Sequence, residues 1–187
     1  MPDNIQQQFA TRLSTGPGLI LSVILFVMLG GPASADTLSI GRAASAADIA
    51  RWDIDVGPDG VGLPPGGATA AQGETVYNSQ CAGCHGPQGR RGRDRLAAAP
   101  GDERRKTIGN YWPYATTIFD YVRRAMPPGA PGSLSDEQVY ALTAYILYLN
   151  SIIPADQRID AESLPGIEMP ARKRFVPDNR RGGPEVR

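Results

Sequence analysis

The 187-residue sequence has few of the side chains that most metal sites require, with only two cysteines and one histidine. A structural zinc site takes four Cys or His ligands, so these residues are too few to form one. Charge of one sign is also not in excess, because 19 Lys and Arg balance 19 Asp and Glu. Nucleic-acid binding depends on contacts with phosphates and favours a basic excess. We therefore expect no nucleic-acid partner.

The sequence also lacks an apolar run long enough for a membrane span. The run at residues 19–29 is about half of the ~20 residues that a spanning helix needs. Arg12 precedes it, and Ala33-Ser34-Ala35 gives the small-residue cleavage pattern of a signal peptide. These features predict a signal peptide over residues 1–35, a periplasmic mature protein from Asp36, and no membrane span after cleavage. An uncleaved N-terminal anchor is the alternative.

The two cysteines occur together in the motif Cys81-Ala82-Gly83-Cys84-His85. This is the spacing of c-type haem attachment. Because positions i, i+3 and i+4 share one face of a helix, both sulfurs can reach the haem vinyl groups while the imidazole meets the iron. The motif predicts one covalently bound haem c, with His85 as an axial ligand of the iron. A thioredoxin-like redox pair would need a βαβ unit, and no such alternation is visible.

The second axial ligand is predicted by elimination. His85 is the single histidine, so the soft ligand that raises haem potential is a methionine. Removal of the signal peptide leaves Met126 and Met169. Met126 precedes two prolines and follows a predicted helix, so we predict it as the ligand, with a gap-filling core residue as the alternative. Met169 is predicted to be a surface or packing residue.

Aromatic and basic residues surround these positions. Tyr111 and Trp112 are predicted to form the core or the haem wall, because such side chains combine a large apolar area with a polar group. Alternatively, one of them donates to a haem propionate or lies on the exit path of the electron. Arg123 and Arg124 either pair with propionates or face solvent. The basic segment from Arg90 to Lys106 is either a solvated loop or a docking surface for an acidic redox partner.

The pattern of apolar residues predicts an all-α domain over residues 70–152. A first helix covers residues 70–84, and a second has Pro113 in its first turn and ends near Ala125. A capping box from Ser135 to Gln138 begins the third helix, which ends near Asn150. A domain of roughly 80 residues cannot bury a large core alone, so the haem is expected to be its centre.

Irregular segments flank this domain. Residues 36–69 are predicted to be an extension packed on the domain, with a short helix between Ala43 and Trp52 followed by turns. Residues 153–187 are predicted to form a C-terminal tail. From Pro165 onward that tail is rich in proline and basic residues, which indicates an extended strap or a disordered end.

Several stretches of the sequence resemble one cytochrome family. They are Trp52-Asp53-Ile54-Asp55-Val56, Pro58 to Pro64, Lys106 to Thr117, Phe119-Asp120-Tyr121, Arg123 to Pro127, Val139 to Leu147, Leu164-Pro165 and Met169-Pro170. Together they are similar to the cytochrome c subunit of Sox-type sulfite or sulfane dehydrogenase. The resemblance covers most of residues 49–176 and is far more specific than the haem motif alone.

The resemblance implies a class I cytochrome c fold with three main helices around one haem. It implies that His85 and Met126 are axial ligands and that Cys81 and Cys84 form the thioethers. It further implies a periplasmic molybdenum-cofactor subunit as electron donor and another cytochrome or an oxidase as acceptor. The chain would then be an electron-transfer subunit with no catalytic residues of its own. A free-standing shuttle to a terminal oxidase and a haem-based sensor remain alternatives.

Overall fold

The computed structural model describes residues 40–92, 94–98, 102, 104–177 and 179. The predicted signal peptide and its cleavage site lie outside these residues. The chain divides into two compact units, Met1–Ala43 and Ala44–Arg187, and all regular elements described below belong to the second. Across the described residues, no helix has both the length and the apolar character needed to cross a bilayer.

The described residues form a mainly helical fold. In chain order its α-helices are α1 (Ala46–Ala50), α2 (Ala70–Gln80), α3 (Ala82–His85), α4 (Ile108–Tyr111), α5 (Ala115–Ala125) and α6 (Asp136–Leu149). Short 3-10 turns occupy Pro87–Gly89, Leu164–Gly166 and Arg172–Arg174. The three longest helices, α2, α5 and α6, confirm the predicted three-helix class.

Helices α2 and α6 cross in close contact at Gly73. A Cβ atom at this position would overlap the Ala141 carbonyl oxygen and would lie 2.7 Å from Tyr145 Cβ. Tyr77, one turn further along α2, packs its ring 5.2 Å from that of Tyr145. The absence of a side chain at Gly73 therefore sets the distance between the two helices.

Helix α6 begins at the predicted capping box, which the structure confirms. The Gln138 N–H donates to Ser135 Oγ at 3.3 Å, and the Ser135 N–H donates to Gln138 Oε1 at 2.9 Å. Every residue from Val139 to Leu147 is buried, so this helix is the centre of the core. Its apolar surface packs against α2 on one side and α5 on the other.

Two predicted helix boundaries are wrong. The first helix does not run through to residue 84, because it ends at Gln80 and Cys81 (φ −119°, ψ −35°) caps both α2 and α3. The second helix begins at Ala115 rather than around Pro113. Trp112 precedes a proline, which disfavours helical geometry, and its backbone is extended (φ −72°, ψ 135°).

The segments on either side of the helical domain meet in a two-stranded sheet that was not predicted. Strand β1 (Gly67–Thr69) pairs antiparallel with β2 (Arg158–Asp160), with Ala68 opposite Ile159. At three residues each, the strands are too short for an alternating pattern to identify them. The pairing joins the N-terminal extension to the C-terminal tail.

Both flanking segments also pack on the helices. The Val56 N–H donates to Asp120 Oδ1 at 2.9 Å, and the Tyr140 hydroxyl donates to the Pro64 carbonyl at 2.8 Å. In the tail, five apolar residues are buried, namely Ile153, Ile159, Leu164, Met169 and Ala171. The described part of the tail is therefore a packed strap, which was one of the two predicted alternatives.

Candidate cofactor site

A cavity of about 630 Å³ lies between α3, α4, α5 and α6. Its volume is within the roughly 300–1,000 Å³ range of ligand and cofactor sites. All six residues predicted to contact the haem line it, namely Cys81, Cys84, His85, Tyr111, Trp112 and Met126. Leu142 and Ile146 contribute an apolar wall from the core helix.

Helix α3 brings the two cysteines and the histidine together. The N–H groups of Cys84 and His85 both donate to the Cys81 carbonyl, at 3.1 and 3.0 Å. This single helical turn places residues i, i+3 and i+4 on one side of the cavity. Both cysteines are free thiols, with Cys81 partly buried and Cys84 exposed.

The Cys81 thiol lacks the lowered pKa of an attacking cysteine. The pKa of Cys81 is raised to about 11, first because burial disfavours the thiolate and second because Cys84 lies nearby. Dithiol oxidoreductases instead lower the pKa of the attacking cysteine. Burial therefore disfavours Cys81 as the attacking thiolate of a disulfide exchange.

The imidazole of His85 is oriented by the loop that follows α3. Its Nδ1 atom lies 2.8 Å from the Asp94 carbonyl oxygen. A carbonyl can only accept a hydrogen bond, so Nδ1 carries the proton and Nε2 keeps its lone pair. A main-chain carbonyl on the outer ring nitrogen is the usual support of a metal-ligating histidine. The donor set thus fits an iron ligand at Nε2.

Met126 reaches the same cavity from the end of α5. It caps the helix with an extended backbone (φ −115°, ψ 148°), while its N–H donates to the Val122 carbonyl at 3.2 Å. The side chain is partly buried and packs against the core. Pro127 and Pro128 also line the cavity, so the thioether is held in the loop by rigid neighbours.

Met169 occupies a different environment. It is 1% exposed and belongs to the hydrophobic core, and it is not among the described residues that line the cavity. Of Met126 and Met169, only Met126 lines the site.

The aromatic residues form part of the cavity wall and of its rim. Trp112 packs edge-on against Tyr121, with ring centroids 5.6 Å apart. Tyr111 makes a similar contact with Phe175 of the tail, also at 5.6 Å, and is 39% exposed. The C-terminal strap therefore packs against the cavity wall through the contact between Phe175 and Tyr111.

Arg123 and Arg124 lie elsewhere, which disfavours the predicted propionate contacts. Arg123 donates to the Ile54 carbonyl at 3.1 Å and pairs with Asp136, also at 3.1 Å. Arg124 forms a two-point ion pair with Asp120 of the same helix. Neither guanidinium lines the cavity in the described part of the chain. Arg123 joins the extension and helix α6 to α5, whereas the ion pair of Arg124 lies within α5.

Sequence reasoning missed a polar side of the cavity. Asp94, Arg95, Arg105, Lys106 and Thr107 all line it. The first four come from the basic segment, which was interpreted as a solvated loop or docking surface because charge and glycine dominate it, and Thr107 directly follows that segment. Lys106 is held there by the Tyr111 ring, whose centroid is 4.3 Å from Nζ. No periodic signal in the sequence indicated this arrangement.

A second kind of metal site is not evident. Among the residues that the structure describes, no three His, Cys, Asp or Glu side chains form a group that could hold a metal ion.

Comparisons with known proteins agree with this geometry. The family model of cytochrome c oxidase, cbb3-type, subunit III, matches residues 68–146. The crystal structure of the sulfane dehydrogenase SoxCD from Paracoccus pantotrophus is similar at 38% identity and a TM-score of 0.66. That match covers 76% of this chain and 73% of the other. A search of curated proteins gave no match.

The fold, the haem-attachment motif and the family model together define a c-type cytochrome with the class I fold, whose cofactor is haem c. More particularly, the chain belongs to the family of c-type cytochromes associated with the Sox sulfane dehydrogenase, as its identity to that structure shows.

Proposed function

We propose that this chain is a periplasmic mono-haem cytochrome that accepts single electrons from a molybdenum-containing sulfite or sulfane dehydrogenase subunit. It passes them on to another cytochrome or to an oxidase. The 38% identity to a sulfane dehydrogenase structure over about three quarters of each chain is the observation that carries this proposal. Oxidation of the sulfur compound belongs to the partner.

The residues that would hold the haem are grouped around one cavity. Cys81 and Cys84 would attach it covalently, and His85 on α3 and Met126 at the end of α5 would hold its iron. All four line the cavity. When bound, haem supplies a one-electron couple, and a His and Met ligand pair favours a high reduction potential. The chain's own contribution is to keep the ligands in place and to exclude water with the apolar wall.

Electron transfer requires the cofactor to come close to the protein surface. Cys84 is exposed, and Tyr111 and Tyr121 are exposed at the rim of the cavity. An electron can therefore enter or leave beside α3 and α4 without rearrangement of the core. We propose this rim as the side that faces redox partners.

Reconstitution with the partner tests the function. The cytochrome is purified alone and with a candidate molybdenum subunit, and haem reduction is followed by absorbance after adding sulfite or thiosulfate. We expect reduction by the pair and none by the cytochrome alone. Absence of partner-dependent reduction, together with fast exchange with an oxidase, would indicate a free-standing shuttle. Tight carbon monoxide binding to the reduced protein would indicate a sensor.

Three further measurements test the cofactor and the location. Thiol titration of the unfolded holoprotein should find no free cysteine, because both sulfurs are in thioethers. A Cys81→Ser/Cys84→Ser variant should lose covalent haem on a denaturing gel. N-terminal sequencing of protein from the periplasmic fraction should begin at Asp36, and a start at Met1 would support an uncleaved anchor.

A further inference from the structure

Two basic clusters that are far apart in the sequence meet beside the cavity. Arg104-Arg105-Lys106 precedes α4, and Arg172-Lys173-Arg174 forms a 3-10 turn of the C-terminal strap. Tyr111 of α4 connects them, because its ring centroid lies 4.3 Å from Lys106 Nζ and 5.6 Å from the ring centroid of Phe175, which directly follows the second cluster. We call these six cations and two aromatic residues the cationic surface.

Most of the charge on the cationic surface is not compensated. All six cationic residues are exposed. Among the described residues only two of them form ion pairs, Arg105 with Asp102 at 3.9 Å and Lys173 with Glu168 at 3.1 Å. Exposed pairs of this kind are weak. Because acidic and basic residues balance over the whole chain, the positive excess is a local property of this surface.

The aromatic residues of the cationic surface are accessible to a partner. Tyr111 is 39% exposed and Phe175 is 38% exposed. Tyrosine, phenylalanine and arginine are enriched in protein interfaces. The predominance of charge over apolar area is typical of the small, short-lived contacts of electron-transfer proteins, whereas permanent subunit interfaces are larger and more hydrophobic.

The cationic surface adjoins the proposed haem site. Arg105, Lys106 and Tyr111 line the cavity together with the exposed Cys84. A protein that docks here is therefore beside the rim at which electrons are proposed to enter or leave. A lipid bilayer on the same surface would cover that rim instead.

We propose that the cationic surface docks a transient redox partner whose own surface is acidic. This inference rests on the proposed function, since it names the kind of protein that meets the rim. Opposite charges on two partners accelerate their encounter and orient it. The sequence left a docking role open for the basic segment, and the structure adds the strap as the second half of the surface.

The first test measures the sign of the charge at the rim. Reduced holoprotein is oxidised in a stopped-flow instrument by ferricyanide, an anion, or by tris(phenanthroline)cobalt(III), a cation. Salt screens attraction and repulsion alike. We expect the ferricyanide rate to fall roughly tenfold between about 10 and about 300 mM NaCl, and the cobalt rate to rise. Rates that do not depend on salt, or that change in the opposite directions, would overturn the proposal.

Charge variants test whether both clusters contribute. Arg104→Gln/Lys106→Gln and Arg172→Gln/Arg174→Gln each remove two cations from one cluster. The matched control, Arg51→Gln/Arg158→Gln, removes two exposed cations that follow α1 and lie in β2. At low salt each cluster variant should oxidise more than about threefold more slowly with ferricyanide, and the control should not. Midpoint potentials measured for every variant correct the rates for driving force. Equal slowing in the control, or no slowing in the strap variant, would contradict the proposal.

Binding measurements distinguish an acidic protein surface from a membrane. A fluorescent decaglutamate peptide should bind the unaltered holoprotein at low salt, and the two cluster variants should lose that binding. Cosedimentation with phosphatidylglycerol vesicles at about 150 mM NaCl that is lost in both cluster variants would assign the surface to a membrane and overturn the proposal. None of these measurements uses a sulfur compound or a molybdenum subunit, so their failure is separate from a failure of the proposed electron donor.

Discussion

The Nδ1 atom of His85 lies 2.8 Å from the main-chain oxygen of Asp94. This contact fixes the tautomer of the ring and so determines which nitrogen can bind iron. It depends on a tight turn at residues 86–92, in which the Arg91 N–H donates to the His85 carbonyl at 3.2 Å. The orientation of the proposed ligand is therefore set by the backbone of this loop.

Gly92 is the residue that we expect to be most sensitive in this loop. Its φ is +83°, and a Cβ atom there would overlap the Cys84 carbonyl oxygen. Gly92→Ala should therefore displace the loop from α3 and destabilise the holoprotein by more than about 1 kcal/mol. Chemical unfolding followed at the haem absorbance measures this change.

Gly129→Ala is the matched control for this substitution. No atom lies within 4 Å of a Cβ built at Gly129, and its backbone is not left-handed. Its free energy of unfolding should differ from that of the unaltered protein by less than about 1 kcal/mol. Equal stabilities of the two variants would contradict the proposed role of the turn.

Met126 and Met169 are predicted to respond differently to truncation. Met126→Ala should abolish the far-red absorbance band that an iron–thioether bond gives in oxidised haem. Met169→Ala should keep the band but lower the free energy of unfolding by about 2–5 kcal/mol, because this side chain is 1% exposed in the core. Loss of the band in the Met169 variant alone would reverse the ligand assignment.

The contact between helices α2 and α6 gives a prediction about folding. Gly73→Ala places a methyl group against the Ala141 carbonyl and Tyr145 Cβ, so the helices must separate. We expect a loss of about 1–3 kcal/mol, typical of overpacking in a dense core. Thermal unfolding by circular dichroism measures it, and an unchanged midpoint would show that the crossing adapts without cost.

The residues that carry strong local signals were predicted well. The haem motif indicated a helical turn at residues 81–85, although not its separation from α2, and the capping box identified the start of α6. Each depends on neighbours within one or two turns. Met126, predicted as a ligand by counting candidates and by its position before prolines, lines the cavity, and its role as a ligand stays a prediction. The haem motif and the capping box are short-range properties of the chain.

The polar side of the cavity could not be predicted, because it depends on contacts between distant parts of the chain. Thr107 and Lys106 meet α3 and Met126 only after the chain has folded, and nothing in their local sequence indicates burial or exposure. The strands β1 and β2 lie about 90 residues apart and are three residues long, so their pairing leaves no periodic trace. Contacts of this kind depend on the tertiary fold.

Two buried tyrosines predict how stability depends on alkaline pH. Burial raises the pKa of Tyr77 and of Tyr140 from 10.0 to about 12 in each case. The Tyr77 hydroxyl donates to the Gly86 carbonyl at 2.7 Å, and the Tyr140 hydroxyl donates to the Pro64 carbonyl, so both neutral forms are held by hydrogen bonds. The unfolded chain loses these protons more readily than the folded one.

The sign of the effect follows from these pKa values. Below pH 10 both states hold the protons and the contribution to stability is complete, whereas it is lost as the pH rises from 10 through 12. Since a tenfold change in ionisation is worth about 1.4 kcal/mol, each tyrosine accounts for up to about 3 kcal/mol of that loss. Chemical unfolding at a series of pH values from 9 upward measures the slope of the free energy of unfolding against pH. Tyr77→Phe and Tyr140→Phe should each make it shallower, while Tyr148→Phe, at an exposed position, should not. A slope that stays the same in all three variants would mean that other groups cause the alkaline loss of stability.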